Sequence, residues 1–119
     1  MTTPSNFVET EATMPTYLVT YHGGPGMPPD PAAAQQMVAA FQAWVAEVGA
    51  AMRDPGAPLG EARTVSADGD SPGQKAASIG GYTILDATDL DDAVSLVRSH
   101  PFLTRGGSLE VSEAVSVSG

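Results

Sequence analysis

The sequence predicts an α+β domain in which four antiparallel strands form one sheet and two helices pack on one of its faces. The clearest support lies at 80–115, where a run rich in Tyr, Thr and Ile precedes an amphipathic helical segment and a second strand-like run. Earlier in the chain, a β-branched and aromatic run at 17–21 is followed by a long apolar helical stripe. With one further strand after that first helix, the predicted order is β-α-β-β-α-β, the ferredoxin-like arrangement.

The first helix is predicted to run over 31–52. Asp30 is a good N-cap and Pro31 suits the first helical position. Large apolar side chains then recur every three or four positions, which is typical of core packing rather than of a cofactor site. This stripe consists of Met37, Phe41, Trp44, Val48 and Met52, widened by Val38 and Val45. The Asp-Pro-Gly run that begins at 54 predicts a turn after the helix.

The second half of the chain supplies the remaining elements. They are a second strand over 59–66, a polar hairpin-like connection over 67–78, a third strand over 81–87, a second helix and a last strand over 108–117. Thr88 and Asp91 have the spacing of a capping box at the start of the second helix. Its apolar stripe is formed by Leu90, Ala93, Val94 and Val97. Pro101 is predicted to end it.

Composition limits the classes of partner. Five basic and fourteen acidic residues give the 119-residue chain a net charge of −9. Nucleic acid and anionic membranes are therefore not expected as partners, because both are bound through basic surfaces. No apolar run approaches the roughly 20 residues of a membrane-spanning helix, and the first residues lack the features of a signal peptide. We expect a cytoplasmic protein with an N-terminal extension at 1–14 and one domain at 15–119.

The predicted architecture leaves one face of the sheet uncovered. In the first strand Tyr17, Val19 and Tyr21 alternate with Leu18 and Thr20, so neither face is fully polar. The usual solution is a second subunit that packs sheet against sheet. The sequence therefore predicts a homodimeric α+β barrel with one cavity in each protomer.

Short segments distributed over the chain carry a family resemblance. They are the strand at 17–23, Trp44, Gly49, the runs 54–60, 65–69 and 80–84, the acidic helix start at 89–93, His100 with Pro101, and the run 106–111. In their order and spacing they resemble the YCII-related (DGPF-type) family of the dimeric α+β barrel superfamily, over about residues 15–117. The resemblance implies a homodimer with a pocket, in a family whose activity is mostly undefined.

The resemblance also implies where a catalytic pair would lie. Better-studied YCII-type proteins carry a histidine on the first helix and an aspartate directly before a proline after the second helix. In this chain the pre-proline position is His100. The first-helix position falls near Gln36 or Met37, on a helix without histidine. The proposed dyad of the family is therefore not preserved here.

The two histidines are nevertheless the first catalytic candidates, because histidine suits proton transfer near neutral pH. His100 is predicted at the end of the second helix, where it either interacts with the helix dipole or serves a pocket as an acid, a base or a hydrogen-bonding group. His22 follows the first strand and is either a plain loop residue or a second acid/base candidate.

Glu110 in the last strand is the third catalytic candidate. If its apolar neighbours Leu109 and Val111 cover the helix-facing side, Glu110 points into the barrel cavity, where desolvation would raise its pKa and make it a candidate base. The alternative is a solvated strand residue or an ion pair with Arg63. The candidates for substrate binding are Tyr82, Asp86, Tyr21 and Arg63.

No cofactor or metal is predicted. The histidines lack metal-ligand spacing, and the Gly-rich loop after the first strand lacks both a GxGxxG pattern and a Walker lysine. The preferred function is a homodimeric barrel that binds a small molecule without established catalysis. One alternative is an enzyme of isomerase, lyase or monooxygenase-like chemistry that uses one of the three candidates. A purely structural or protein-interaction role is the other.

Overall fold

The computed structural model describes residues 14–24, 26, 28–72 and 79–115. The strands in these residues are β1 (Thr16–Gly23), β2 (Met52–Pro58), β3 (Arg63–Ser66), β4 (Gly69–Pro72), β5 (Gly81–Asp86) and β6 (Gly107–Ala114). The helices are α1 (Pro31–Val48), α2 (Leu90–Val97) and the short α3 (Pro101–Thr104), with a 3₁₀ turn at Gly49–Ala51. No helix in these ranges is long and apolar enough to cross a membrane.

Four strands form one sheet in the order β2-β5-β1-β6, and all neighbours are antiparallel. Because β1 lies between β5 and β6, Val19 sits opposite Thr83 on one side and Val111 on the other. The prediction of an α+β domain with a four-stranded antiparallel sheet is confirmed. The strand order is compatible with a ferredoxin-like fold.

The core lies between the helices and one face of this sheet. Val19 of β1 and Leu85 of β5 are fully buried and pack with Trp44 of α1 and Val97 of α2. The Trp44 indole N–H donates to the Leu96 carbonyl oxygen at 3.0 Å. This hydrogen bond joins α1 to α2, so both helices cover the same sheet face.

The start of α1 agrees with the prediction and its end does not. The Asp30 carboxylate accepts a hydrogen bond from the Ala33 N–H at 3.1 Å, and Pro31 is the first helical residue. The helix ends at Val48 rather than at 52, because Gly49 takes a positive φ of 65° that a glycine adopts at little cost. The chain then enters β2.

The predicted turn at 54–58 is wrong, because these residues lie in strand β2. Pro55 cannot donate to a ladder, but β2 is the edge of the sheet and its pairing is interrupted by bulges between Met52 and Asp54 and between Asp54 and Ala57. Gly56 has a φ of 79°, and a Cβ there would overlap the Tyr82 carbonyl. The bulge therefore requires glycine at this position.

The predicted second strand at 59–66 is also wrong in its extent and its pairing. Only Arg63–Ser66 are extended, and they pair with β4 in a separate two-stranded hairpin. All residues of this hairpin are exposed. The exposed connection predicted at 67–78 is exposed over 67–72, and its last residues, 73–78, lie outside the described ranges.

The last third of the chain follows the prediction with shifted boundaries. The N-cap of α2 is Asp89, whose side chain accepts from the Asp92 N–H at 2.8 Å, so the cap lies one position later than predicted. Helix α2 ends at Val97, and Pro101 begins α3 instead of only ending α2. The final strand is Gly107–Ala114, the end of the predicted 108–117 range lies outside the described residues, and of the extension at 1–14 only position 14 is described.

Candidate functional site

A cavity of about 360 Å³ lies on the helix side of the sheet. It is bounded by α1, the end of β1, the bulge of β2, the start of β5 and α3. Its lining residues are mostly apolar or glycine: Gly23, Gly24, Gly26, Met37, Val38, Phe41, Pro55, Gly56, Ala57, Pro58, Gly80, Gly81, Pro101 and Phe102, with Tyr21, Tyr82, His100 and Arg105 as the polar members. The cavity is therefore suited to an apolar ligand that meets a few polar groups.

His100 forms part of the cavity wall and is the N-cap of α3. Its ring Nδ1 accepts a hydrogen bond from the Phe102 N–H at 3.0 Å. The ring centroid lies 4.3 Å from that of Trp44 and 5.7 Å from that of Phe41, and the residue is 3% exposed. His100 is thus fixed by the start of one helix and by the aromatic side chains of another.

A chain of hydrogen bonds runs from His100 across the sheet to the β2 bulge. The Tyr21 hydroxyl lies 2.7 Å from His100 Nε2 and 2.7 Å from Thr83 Oγ1. The Thr83 hydroxyl donates to the Pro55 carbonyl oxygen at 2.8 Å. One side chain from β1, one from β5 and one from the α2–α3 connection are joined in this way, and we call these three residues with the Pro55 carbonyl the polar chain.

The two ends of the polar chain fix the direction of every bond in it. A carbonyl oxygen only accepts, so the single Thr83 proton goes to Pro55, and Thr83 must accept the Tyr21 proton. Tyr21 then has no proton left for His100. At the other end a backbone N–H only donates, so His100 Nδ1 is the unprotonated nitrogen and Nε2–H donates to Tyr21. Both arguments give the same neutral tautomer.

Burial lowers the pKa of His100 from 6.5 to about 4, because the charged imidazolium is disfavoured away from water. The geometry also disfavours the charged form, because a proton on Nδ1 would face the Phe102 N–H, and two donors cannot form a hydrogen bond with each other. At neutral pH His100 is uncharged, and both ring nitrogens are occupied. It can position Tyr21, but it has no lone pair available to remove a proton from a ligand.

Tyr21 is the polar group that the chain presents to the cavity. Burial raises the pKa of its phenol, and the hydrogen bond to Thr83 opposes that effect to a smaller extent. The phenol is therefore neutral at physiological pH. With His100 donating to it and Thr83 accepting from it, Tyr21 is held in one orientation.

Phe102 closes one side of the cavity by resting on glycine. A Cβ at Gly107 would overlap the Phe102 ring, and one at Gly24 would lie 3.1 Å from it. The ring also lies 5.2 Å from that of Tyr21, centroid to centroid. The glycines at the ends of β1 and β6 thus create the space that lets α3 lie against the sheet.

Arg105 is the charged member of the cavity lining within the described residues. It follows α3, and its Nη2 donates to the Gly26 carbonyl oxygen at 2.9 Å. This contact connects the end of α3 to the loop after β1. Arg105 therefore helps to hold together the two segments between which the cavity lies.

His22 and Glu110 lie on the opposite sheet face from His100, and the structure brings these two candidates together. His22 Nε2 is 3.6 Å from a Glu110 carboxylate oxygen and 2.8 Å from Thr20 Oγ1. The side chains of His22 and Glu110 are 33% and 69% exposed. The hydroxyl and the carboxylate both approach the same ring nitrogen, so this is not a relay in which a base activates Thr20 while an acid orients the base.

The face away from the helices also carries other predicted residues, and we call it the open face. It comprises Thr16, Leu18, Thr20 and His22 of β1, Tyr82, Ile84 and Asp86 of β5, and Ser108, Glu110 and Ser112 of β6. Leu109 and Val111 pack toward the helices, which meets the condition set for Glu110. Glu110 therefore lies on the open face, which the predicted dimer would enclose, and not at the cavity on the helix side.

The remaining candidates for substrate binding lie in different places. Tyr21 lines the cavity, and Tyr82 borders its edge, although its position in β5 places Tyr82 with Ile84 and Asp86 on the open face. Asp86 lies on the open face, where it accepts from Arg53 Nε at 2.9 Å and from the Thr16 hydroxyl at 3.2 Å. Arg63 lies in the exposed hairpin and pairs with Asp70 at 3.2 Å rather than with Glu110.

The site depends on two residues that the sequence analysis does not single out. Thr83, in the polar chain behind the cavity wall, has the pattern of an ordinary strand residue, and Phe102 follows a proline that predicts only the end of a helix. The available signal was the pair His100-Pro101, since a polar residue before a proline also fits an N-cap with proline at the first helical position. In the described residues no group of three or more His, Asp or Glu side chains could hold a metal ion.

The arrangement has two candidate regions: a mostly apolar cavity with the polar chain in its wall, and a partly exposed histidine–carboxylate pair on the open face. The first can enclose a ligand, and the second is accessible to solvent. No protein-family model matches the chain, and no curated protein matches it.

Proposed function

We propose that the protein is a YCII-related homodimer that binds a small, mostly apolar molecule in the cavity of each protomer, without catalysis. The observation that carries this proposal is the cavity of about 360 Å³ with aromatic and aliphatic walls. Ligand sites are concave, mostly apolar and about 300–1,000 Å³ in volume. The cavity lies near the lower end of that range, which suits a ligand of about one or two rings.

The state of the polar chain favours binding over catalysis. A general base needs a free lone pair within reach of the proton that it removes. His100 uses both nitrogens within the protein, and Tyr21 gives its proton to Thr83. The wall of the cavity is therefore prepared to orient a ligand rather than to exchange protons with it.

Binding is tested by NMR titration of the ¹⁵N-labelled protein with single- and double-ring aromatic compounds. We expect saturable shifts of backbone amides at cavity residues such as Tyr21, Phe41 and Phe102. Val65 in the exposed hairpin serves as an internal control and should not respond. Shifts that never saturate, or that involve the hairpin as much as the cavity, would contradict the proposal.

The open face supports the homodimer. Leu18 is 39% exposed there, Ile84 is half-buried beside it, and Thr20 is only 8% exposed. A second copy packed on this face would remove the remaining apolar surface from water. In that arrangement the two sheets would form the dimeric α+β barrel.

The dimer is tested by light scattering across micromolar concentrations. We expect twice the mass of one chain, and a monomer for Leu18→Asp, because the substitution would place a charge in the contact. Val65→Asp, in the hairpin, is the matched control and should stay dimeric. A monomeric mass for the natural sequence at micromolar concentration would rule out the dimer.

The alternative function is an enzyme of isomerase, lyase or monooxygenase-like chemistry, and the contact between His22 and Glu110 is the observation that favours it. A base at His22 would exchange ligand C–H protons with solvent. Deuterium incorporation into a bound compound in D₂O, lost in His22→Gln but kept in His100→Asn, would support this alternative. Binding without any incorporation would support the binding function.

A further inference from the structure

Of the polar chain's side chains, Tyr21 and His100 line the cavity, and the Tyr21 oxygen is the one that keeps an acceptor position. Tyr21 has one proton and two acceptor positions. Its proton is committed to Thr83, and one acceptor position is taken by His100 Nε2–H, so one acceptor position remains. Thr83 is fully buried behind Tyr21 and is not part of the cavity lining.

This direction does not depend on the ligand, because two backbone groups of the protein set it. The Pro55 carbonyl in the β2 bulge fixes one end, and the Phe102 N–H at the start of α3 fixes the other. To turn the Tyr21 proton toward a ligand, the protein would have to leave the Thr83 oxygen without its donor. The two backbone groups therefore leave the Tyr21 hydroxyl able to accept a hydrogen bond from a ligand but not to donate one.

We infer that the cavity selects apolar ligands that carry a hydrogen-bond donor, of the phenol or indole type, over ligands of the same shape that offer only an acceptor. The inference rests on the proposed binding function and adds its ligand class. A donor on the ligand meets the free acceptor position of Tyr21. An acceptor in the same place meets another acceptor and loses its hydrogen bond to water without replacement.

The test compares three probes of nearly the same shape: indole, which has a donor, indene, which has neither group, and benzofuran, which has an acceptor. Dissociation constants are measured by NMR titration with the full chain. We expect indole to bind about tenfold tighter than benzofuran, which corresponds to one net hydrogen bond. Indene, which loses no hydrogen bond on entry, should fall between them.

Two variants test whether Tyr21 causes the preference. Tyr21→Phe removes the acceptor, and indole and benzofuran should then bind alike. Thr83→Val keeps the shape but removes the partner of the Tyr21 proton, while His100 still donates to the oxygen. The hydroxyl is then able to donate into the cavity, so benzofuran should gain affinity relative to indole. Circular dichroism establishes whether each variant is folded. If Thr83→Val does not fold, the comparison of the natural protein with Tyr21→Phe tests the inference by itself.

The outcomes separate the two proposals. Equal binding of the three probes to the natural protein would overturn the donor preference and leave the binding function intact. A preference for indole that survives Tyr21→Phe would also overturn it, because another group would then be responsible. No saturable binding by any probe would remove the binding function and this inference with it.

Discussion

Tyr21 and His22 are adjacent in β1, yet their side chains lie on opposite faces of the sheet in different surroundings. Tyr21 belongs to the polar chain, in which His100 donates to Tyr21, Tyr21 donates to Thr83, and Thr83 donates to the Pro55 carbonyl oxygen. His22 meets Thr20 and Glu110 at one nitrogen, at the edge of solvent. The same contrast separates the two histidines. Both ring nitrogens of buried His100 are used in hydrogen bonds on the helix side, whereas His22 is partly exposed on the open face, so the packing of each face determines what each histidine can do.

The largest difference between the faces should be in stability. Trp44 is 2% exposed on the helix side, whereas Leu18 on the open face is 39% exposed. We expect Trp44→Ala to lower the free energy of unfolding by about 4 kcal/mol, since it creates a large cavity and leaves the Leu96 carbonyl without its donor. Leu18→Ala should cost about 1 kcal/mol in the monomer.

Urea denaturation followed by circular dichroism measures both variants. Low protein concentration keeps any dimer from contributing. If Leu18→Ala were as destabilising as Trp44→Ala under these conditions, the open face would be part of the core of each protomer. The contrast between the two faces would then be incorrect.

The second difference should appear with pH. Because the folded-state pKa of His100 is about 4 and its ordinary value is 6.5, the unfolded chain binds this proton more readily than the folded chain. The folded state is therefore not penalised above pH 6.5, and it loses stability as the pH falls from 6.5 toward 4. The loss is at most about 3 kcal/mol, and smaller where water in the cavity reaches the ring.

The measurement is the difference in unfolding free energy between the natural protein and His100→Asn at each pH. Asparagine can cap α3 and does not titrate, so the carboxylate contributions cancel in the difference. We expect the variant to lack this component of the pH dependence. His22→Gln is the control and should retain it. A pH profile unchanged by His100→Asn would show that this histidine is not buried as a neutral group.

The third difference concerns the contact between the Phe102 ring and Gly107 on the helix side of the sheet. A methyl group at Gly107 would overlap the Phe102 ring, so Gly107→Ala should displace α3 and cost about 2 kcal/mol, a typical value for overpacking. Gly60→Ala is the matched control, because no atom lies within 4 Å of a Cβ at that position. Thermal unfolding measures stability, and indole titration reports the cavity. Unchanged stability and binding in Gly107→Ala would mean that α3 does not need this close contact.

Some of the structural features behind these predictions could be read from the sequence and others could not. The sheet and its two main helices were predictable because Val19, Trp44 and Val97 occur at strand and helix periods that record which side faces the core. Strand β2 was not, because its Asp-Pro-Gly run has the composition of a turn. It is extended only because an edge strand tolerates a proline and a bulge.

The site was less predictable than the fold for a physical reason. Tyr21, Thr83 and His100 come from three elements, and their hydrogen bonds depend on register and on the start of α3 rather than on spacing in the chain. The proximity of His22 to Glu110 likewise follows from the pairing of β1 with β6. Residue type identified the candidate histidines. Only the packing shows that both ring nitrogens of His100 are used within the protein, whereas His22 is partly exposed to solvent.

The smallest expected effect lies on the open face. Arg53 donates to Asp86 at 2.9 Å, but the Arg53 side chain is 57% exposed, and Asp86 also accepts from the Thr16 hydroxyl. An exposed ion pair contributes little because water and salt screen it. We therefore expect Arg53→Ala to cost less than about 1 kcal/mol in urea denaturation, and the cost to decrease further at high salt.

Arg63→Ala is the control, because it removes a pair with Asp70 in the hairpin whose arginine is about as exposed as Arg53. The two variants should behave alike at low protein concentration. If the cost of Arg53→Ala alone rises with protein concentration, a second subunit excludes water from the Arg53 end of the open face. That result would sharpen the comparison, because a second subunit would then cover the open face, whereas the other face is covered by the helices of the same chain.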